Sequence, residues 1–141
     1  MKYQKVDRQN NIGQAKEILT NHNGKVPNSK NDLLSLPGVG PYSANAVLCF
    51  AFNHDVSMVD TNILRVLQRV FSLKSNSPRP RQDKKIWEFA ESLPPKGSGK
   101  EFNYGILDFA AKVCTSRNPK CNTCVLNGMC DYYKGRIKKI N

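Results

Sequence analysis

Four cysteines fall within 17 residues near the C-terminus, Cys114, Cys121, Cys124 and Cys130, in the spacing C-x6-C-x2-C-x5-C. Clustered thiolates of this kind more often bind metal than pair as disulfides in a chain without secretory signals. Taken alone, Cys121-x2-Cys124 resembles a zinc knuckle. Four thiolates in one loop equally suit an iron–sulfur cluster, and the donor set does not separate the two. Either site is structural, because four protein ligands leave no open position for substrate. Arg117 and Lys120 lie between the first two cysteines. A metal-stiffened loop can present these cations to phosphate, or they can offset the charge of the thiolates.

A second group lies upstream, in Leu36-Pro37-Gly38-Val39-Gly40-Pro41. Two glycines around one small residue permit positive φ and close backbone approach. Pro41 suits the first position of a helix. The N–H groups of Gly38, Val39 and Gly40 are therefore expected to point outward just before a helix, as a seat for a phosphate. The plainer alternative is an ordinary corner between helices. A carboxylate, Asp60, follows 20 residues after Gly40, at the start of another helical stretch. A carboxylate there ordinarily serves as an N-cap.

The 141 residues carry 22 Lys and Arg against 11 Asp and Glu, for a net charge of +11. Residues 114–141 alone hold six Lys or Arg and one acid. This balance predicts a polyanion partner such as DNA or RNA. An anionic membrane is the weaker competitor, because no basic amphipathic helix with Trp or Phe anchors is evident. No run of about 18 apolar residues offers a membrane span. The N-terminus lacks the apolar segment of a signal peptide, so an intracellular protein is expected, cytoplasmic and nucleoid-associated if the source is prokaryotic.

The elements that must position these groups read as helices throughout. Ile12, Ala15, Ile18 and Leu19 recur at helical spacing, and Gly24 is placed to cap that helix. Residues 1–11 carry little pattern. Ser29 or Asn31 can cap a short helix bearing Leu33, Leu34 and Leu36. A helix over 41–52 places Ala44, Val47, Leu48 and Ala51 on one face, with Cys49 as a small core residue. Another over 61–71 turns Ile63, Val66, Leu67 and Val70 inward. Residues 72–82 read as a basic, solvated connection. Ile86, Phe89, Ala90 and Leu93, and then Phe102, Ile106, Phe109, Ala110 and Val113, mark two further helices, the last running into Cys114. No strand pattern of useful length and no repeat is present. The expected organisation is all-α, with a helical part over 1–100 holding the hairpin (30–52) and Asp60, and a cysteine loop with a basic tail over 101–141.

Together, Leu36-Pro37-Gly38-Val39-Gly40, Val59-Asp60-Thr61-Asn62 and C-x6-C-x2-C-x5-C resemble the helix-hairpin-helix DNA glycosylase superfamily, which includes endonuclease III and the mismatch glycosylases. The resemblance covers nearly the whole chain, from about Asn23 to Tyr133. It implies a [4Fe–4S] cluster on the four cysteines rather than zinc. It implies that Pro37, Gly38, Val39 and Gly40 grip a DNA phosphate, with Ser43, Asn62 and Arg65 as further contacts beside Arg117 and Lys120. It also implies a flipped base and Asp60 as the catalytic carboxylate. Cleaving an N-glycosidic bond builds positive charge on the sugar, which a carboxylate stabilises.

Tyr42 occupies the position where endonuclease III-type members carry a nucleophilic lysine. Tyrosine forms no Schiff base, so a monofunctional glycosylase is expected. Packing on the first turn of a helix is the plainer role for Tyr42. Thr61 follows Asp60 where adenine-specific members typically have Gly, and Phe102–Phe109 and Cys130–Tyr133 look more like the thymine enzymes. The expected substrate is double-stranded DNA with thymine or uracil opposite guanine, the alternatives being adenine excision from A:G pairs and a silent DNA-binding module. Family members carry a longer N-terminal segment, which supplies part of the base pocket. The expectation is a fold truncated at the N-terminus, as a fragment, a split product that needs a partner polypeptide or a decayed copy, with uncovered apolar faces that favour instability, self-association or a missing subunit.

Overall fold

The computed structural model describes the backbone of residues 2–139 and the side chains of residues 10–139. Among the described residues seven α-helices follow in order: α1 (Lys2–Asn21), α2 (Lys30–Ser35), α3 (Pro41–Phe52), α4 (Thr61–Phe71), α5 (Lys84–Glu91), α6 (Gly99–Lys112) and α7 (Asp131–Ile137). Single 3-10 turns occupy Pro80–Gln82 and Cys121–Thr123. No strand occurs among the described residues. Contacts divide the chain into two units, residues 1–54 and 55–141. Within the second unit α4 packs against both α6 and α7.

In the first unit, α1 begins at Lys2, ahead of the apolar spacing that marks it. Ile12 and Leu19 stay exposed. The helix ends through Asn23 and Gly24, both at positive φ, and the Gly24 N–H donates to the Ile18 carbonyl at 2.9 Å. Ser29 caps α2, accepting from the Asp32 N–H at 3.1 Å while its hydroxyl donates to Asp32 Oδ2 at 2.6 Å. Leu33 and Leu36 are buried, and α2 packs on α3. The buried stripe of α3 is Ala44, Asn45, Leu48 and Cys49. Ala51, expected on that face, is exposed because the stripe is rotated toward Cys49. Asn53 ends α3 in the left-handed region at φ 60°, its N–H donating to the Cys49 carbonyl at 3.1 Å while the His54 N–H reaches the Leu48 carbonyl at 3.0 Å.

The second unit is built on α4, which buries Ile63, Leu64, Val66, Leu67 and Val70. Each side chain fully withdrawn from water contributes about 1.5–3 kcal/mol. Val66 and Val70 join Ala110, Cys114 and Cys130 in one cluster, flanked by Ile106, Phe109, Leu126 and Tyr133. Residues 72–83 are more ordered than a solvated connection. The Ser75 hydroxyl donates to Asp83, the Trp87 indole N–H donates to the Arg81 carbonyl at 2.7 Å, and Asp83 caps α5 by accepting from the Lys85 N–H at 3.0 Å. The Phe71 and Phe89 rings meet edge to face at 5.0 Å between centroids. Helix α7 lies where a basic tail was expected. Too few apolar residues mark it, and its hold on α4 is tertiary.

Candidate functional site

The hairpin turn is set by its backbone. Gly38 has φ +75°, and a Cβ there would stand 2.7 Å from Asn10 Nδ2. Glycine is therefore required twice over, by conformation and by space. Gly40 differs from the expectation. It caps α3 in extended conformation at φ −98°, and nothing lies within 4 Å of where its Cβ would be. Pro41 follows at the first helical position. The Val39 N–H does not point outward as expected: it donates to the Leu36 carbonyl at 3.1 Å and closes the turn. Among the described residues, no hydrogen bond engages the N–H groups of Gly38, Gly40, Tyr42 or Ser43. The N–H groups left facing outward are thus those of the N-terminal turn of α3, with Gly38 beside it.

Helix α1 braces this turn, a contact that no pattern in the sequence signals. Gln14 Nε2 donates to the Pro37 carbonyl at 2.8 Å, and a Cβ on Gly13 would lie 3.3 Å from the Pro37 ring. Tyr42 is exposed in the first turn of α3, as is Ser43.

In the second unit, Asp60 is the N-cap of α4. Its Oδ1 accepts from the Asn62 N–H at 2.8 Å and the Ile63 N–H at 2.7 Å. Its Oδ2 accepts from Asn62 Nδ2 at 3.0 Å. The carboxylate is half-buried and fixed in direction by these three bonds, with Oδ2 the less committed oxygen.

Asn62 in turn accepts from Arg65 Nη1 at 2.9 Å. Arg65 is not a free cation for DNA, as had been expected. Its Nε donates to the Cys114 carbonyl at 3.0 Å and its Nη2 to the Ala110 carbonyl at 2.9 Å. One continuous polar chain therefore joins Asp60 to the first cysteine. Sequence position had separated these residues by more than fifty places, and only the packing of α4 on α6 brings them together.

The segment that delivers Asp60 is buried and non-helical. Ser57, Met58 and Val59 are each at most 2 % exposed. The Ser57 hydroxyl donates to the Ala90 carbonyl at 2.6 Å. Asp55 accepts from the Gly97 N–H at 2.6 Å and the Gly99 N–H at 2.9 Å. Asn103, fully buried, bonds the main chain of Val56 and Met58. A polar residue on the inward face of α6, among Gly99, Ile106 and Ala110, was the visible sign of it.

Cys114, Cys121, Cys124 and Cys130 line one partly open pocket of about 20 Å³. Cys114 and Cys130 are buried, and Cys121 and Cys124 half-buried. Among the described residues no three Cys, His, Asp or Glu side chains converge on one metal ion. The donor set, four cysteine thiolates on one loop, fits an iron–sulfur group.

Cations and N–H groups face the sulfurs. Arg69 Nη1 lies 3.5 Å from Cys114 Sγ and donates to the Thr115 carbonyl at 2.6 Å, while its Nη2 donates to the Ser116 carbonyl at 2.9 Å. Arg136 Nη1 lies 3.9 Å from Cys121 Sγ, and the Leu126 N–H lies 3.4 Å from Cys124 Sγ. The Arg69 and Arg136 guanidiniums also stand 4.8 and 5.8 Å from the Tyr132 ring. Arg69, Tyr132 and Arg136 were not singled out from sequence, although Arg69 sits one turn after Arg65 on the polar side of α4. Arg117 and Lys120 are exposed on the loop between Cys114 and Cys121. Among the described residues no helix is long and apolar enough to cross a membrane.

Two family models match the chain. One, the helix-hairpin-helix motif, covers residues 21–50, and the other, the iron-sulfur binding domain of endonuclease III, covers residues 114–130. The chain is 45% identical over 125 residues to a thymine/uracil-DNA glycosylase of Pyrobaculum aerophilum, covering 86% of this chain and 54% of that protein. It is 37% identical over 128 residues to an adenine DNA glycosylase of Buchnera aphidicola, covering 90% of this chain and 36% of the relative. The solved structure of a thermostable thymine-DNA glycosylase superposes with a TM-score of 0.81 at 39% identity, covering 87% of this chain and 56% of that one. The chain spans about half the length of the thymine-directed relatives it matches. The chain thus carries a helix-hairpin-helix motif and an iron–sulfur binding domain of the endonuclease III type, and over that part of the fold it is similar to the helix-hairpin-helix DNA glycosylases.

Proposed function

We propose that the chain serves base-excision repair as part or all of a monofunctional DNA N-glycosylase that removes thymine or uracil opposite guanine. The observation that carries this reading is the ordering of its relatives. Thymine- and uracil-directed glycosylases match at 40 to 46% identity, and adenine glycosylases at 34 to 37%. Tyr42 supports the absence of lyase chemistry, because a phenol cannot form a Schiff base with the sugar.

In this reading the N–H groups of Gly38, Gly40 and the first turn of α3 hold one phosphate of duplex DNA. Ser43, Arg117 and Lys120 add backbone contacts, which fix register and carry no sequence information. The target base leaves the stack before chemistry. The bond between C1′ and the base nitrogen breaks, and its electron pair leaves with the base. Positive charge grows on the sugar, facing Asp60 Oδ2. Oδ1 stays bound to the Asn62 and Ile63 N–H groups, so the carboxylate needs no reorganisation as the charge develops. Water adds to C1′ and yields its proton to the same carboxylate.

Cys114, Cys121, Cys124 and Cys130 hold a [4Fe–4S] cluster. When bound, the cluster supplies cross-linking of a loop that has little core of its own.

The test uses the chain with its iron and sulfide intact and duplexes containing G:T, G:U or A:G. Abasic products are cleaved with alkali. Release from G:T and G:U is expected, and Asp60→Asn is expected to abolish it while sparing binding. No base release from any duplex sinks the proposal. Salt-sensitive binding that ignores the mismatch, without release, would instead make the chain a silent DNA-binding module.

A further inference from the structure

We infer that Asn103 is a positioning residue for Asp60, setting the register of the buried segment that delivers the carboxylate. This rests on the reading of Asp60 given above. Residues 56–59 belong to no helix or strand, yet Ser57, Met58 and Val59 are each at most 2 % exposed. A buried backbone must find partners for its polar groups, and here one side chain supplies two of them.

Asn103 Oδ1 accepts from the Met58 N–H at 3.1 Å, and its Nδ2 donates to the Val56 carbonyl at 2.7 Å. The carboxamide thus pairs with residues i and i+2 of an extended chain, as an adjacent strand would. Its second amide hydrogen goes to the Gly99 carbonyl at 2.8 Å, one turn back on its own helix. The amide therefore has one allowed orientation. Turning it over would set its NH₂ against the Met58 N–H and its oxygen against two carbonyls.

Asn103 is wholly buried, so water does not compete for these bonds. Asp60 lies two residues beyond Met58 on the same extended segment. Slipping an extended segment by one residue turns its side chains to the other face. Fixing Val56 and Met58 therefore fixes the side to which Asp60 emerges. Ser57 and Asp55 hold the segment at other points through their own side chains, Ser57 on the Ala90 carbonyl and Asp55 on the Gly97 and Gly99 N–H groups, whereas Asn103 holds the main chain of the segment itself.

The decisive variant is Asn103→Asp, which replaces one NH₂ by oxygen without changing shape. Ile86→Ala serves as the control, lowering stability from a buried site on α5 that is no partner in the Asn103 hydrogen bonds. Each variant of the iron-loaded chain is measured for single-turnover release from a G:T duplex, affinity for that duplex, thermal midpoint, and hydrogen exchange at Asn62 and Ile63. Asn103→Asp is expected to slow release about 100-fold, the cost of misplacing a reacting group by an ångström. Duplex affinity is expected to stay at the parent value. The Asn62 and Ile63 amides should lose protection while those of Val66 and Leu67 keep it. Ile86→Ala, at equal or greater loss of thermal midpoint, should leave release and both amides as in the parent.

Unchanged protection of Asn62 and Ile63 in Asn103→Asp overturns the inference. So does an equal loss in Ile86→Ala. If Asn103→Asp does not fold, Asn103→Ala, which leaves room for water at the same groups, is judged on the same measurements. A parent chain that releases no base refutes the glycosylase reading, and the exchange arm still decides the role of Asn103.

Discussion

The Arg65 guanidinium donates from Nε to the Cys114 carbonyl oxygen at 3.0 Å, and so ties the start of α4 to the first cysteine of the metal loop. Its other donors reach the Ala110 carbonyl and Asn62. Removing it would leave two half-buried carbonyls at the end of α6 without their partner. Arg65→Met is therefore expected to destabilise the chain by about 2–4 kcal/mol, as for loss of more than one charged hydrogen bond. Urea titration of the iron-loaded chain measures this. The visible absorbance of the cluster should also decay faster in the variant, since the Cys114 backbone loses its anchor.

That relationship marks the limit of what the sequence discloses. The helices over 41–52 and 61–71 were legible to the residue, because Pro41 and Asp60 are start signals and the apolar spacing between them is helical. The spacing of Cys114 to Cys130 was legible as a metal loop. What could not be read was the destination of donors. Arg65 looks the same in sequence whether it meets a phosphate or the carbonyls of a helix 45 residues away. The Val39 N–H was misread for the same reason, since a short-range bond to Leu36 depends on a turn geometry that composition does not fix. Helix α7 escaped because its polar, basic sequence carries little intrinsic signal and its fold depends on packing against α4.

Asp60 combines a cap with the proposed chemistry, and two substitutions separate them. Asn is as good an N-cap as Asp, so Asp60→Asn should keep the thermal midpoint of the parent. Asp60→Ala should cost about 1 kcal/mol, the usual price of a lost cap. Both should abolish base release, because neither carries a carboxylate. A variant that lost stability and activity in step would argue that Asp60 acts only as a cap.

The two hairpin glycines are expected to fail differently. Gly38→Ala meets a positive φ and the Asn10 side chain together, and should destabilise the chain by about 1–3 kcal/mol. Gly40→Ala has ordinary φ and open space, so its thermal midpoint should hold. Its methyl group nevertheless stands beside the N–H groups proposed to seat a phosphate. Fluorescence anisotropy with a duplex should therefore show weaker binding for Gly40→Ala at unchanged stability.

Asp83 gives a dependence on pH with a definite sign. Its carboxyl is held below the ordinary carboxylate value, chiefly by the Ser75 hydroxyl, with the N–H and charge of Lys85 acting in the same direction against a burial penalty. A folded value below the unfolded one means that the cap of α5 is fully present above the unfolded value. It is lost as pH falls through the folded value. Ser75→Ala removes the main cause, so the Asp83 titration should move up toward the ordinary range and α5 should fray at a higher pH. Carboxyl-detected NMR titration of parent and variant measures both, and an unmoved midpoint would rule out the Ser75 bond as the cause.

The cysteine loop should depend on its metal locally rather than globally. Between Cys114 and Cys130 the only regular element is the single turn Cys121–Thr123. The apolar cluster that includes Cys114 and Cys130 is completed by Leu126 and Tyr133 from this same region. Arg69 and Arg136 face the sulfurs, and a cation beside an emptied pocket no longer has thiolate charge to oppose it. Extracting iron under anaerobic conditions with a chelator is therefore expected to open residues 115–129 and α7 to limited proteolysis. Helices α2 and α3 have their own buried residues, Leu33, Leu36, Ala44 and Leu48, and should remain protected. Mass mapping of the first cleavage sites, with and without iron, checks this. First cuts in α2 or α3 would mean that the metal supports the whole chain rather than the loop that holds it.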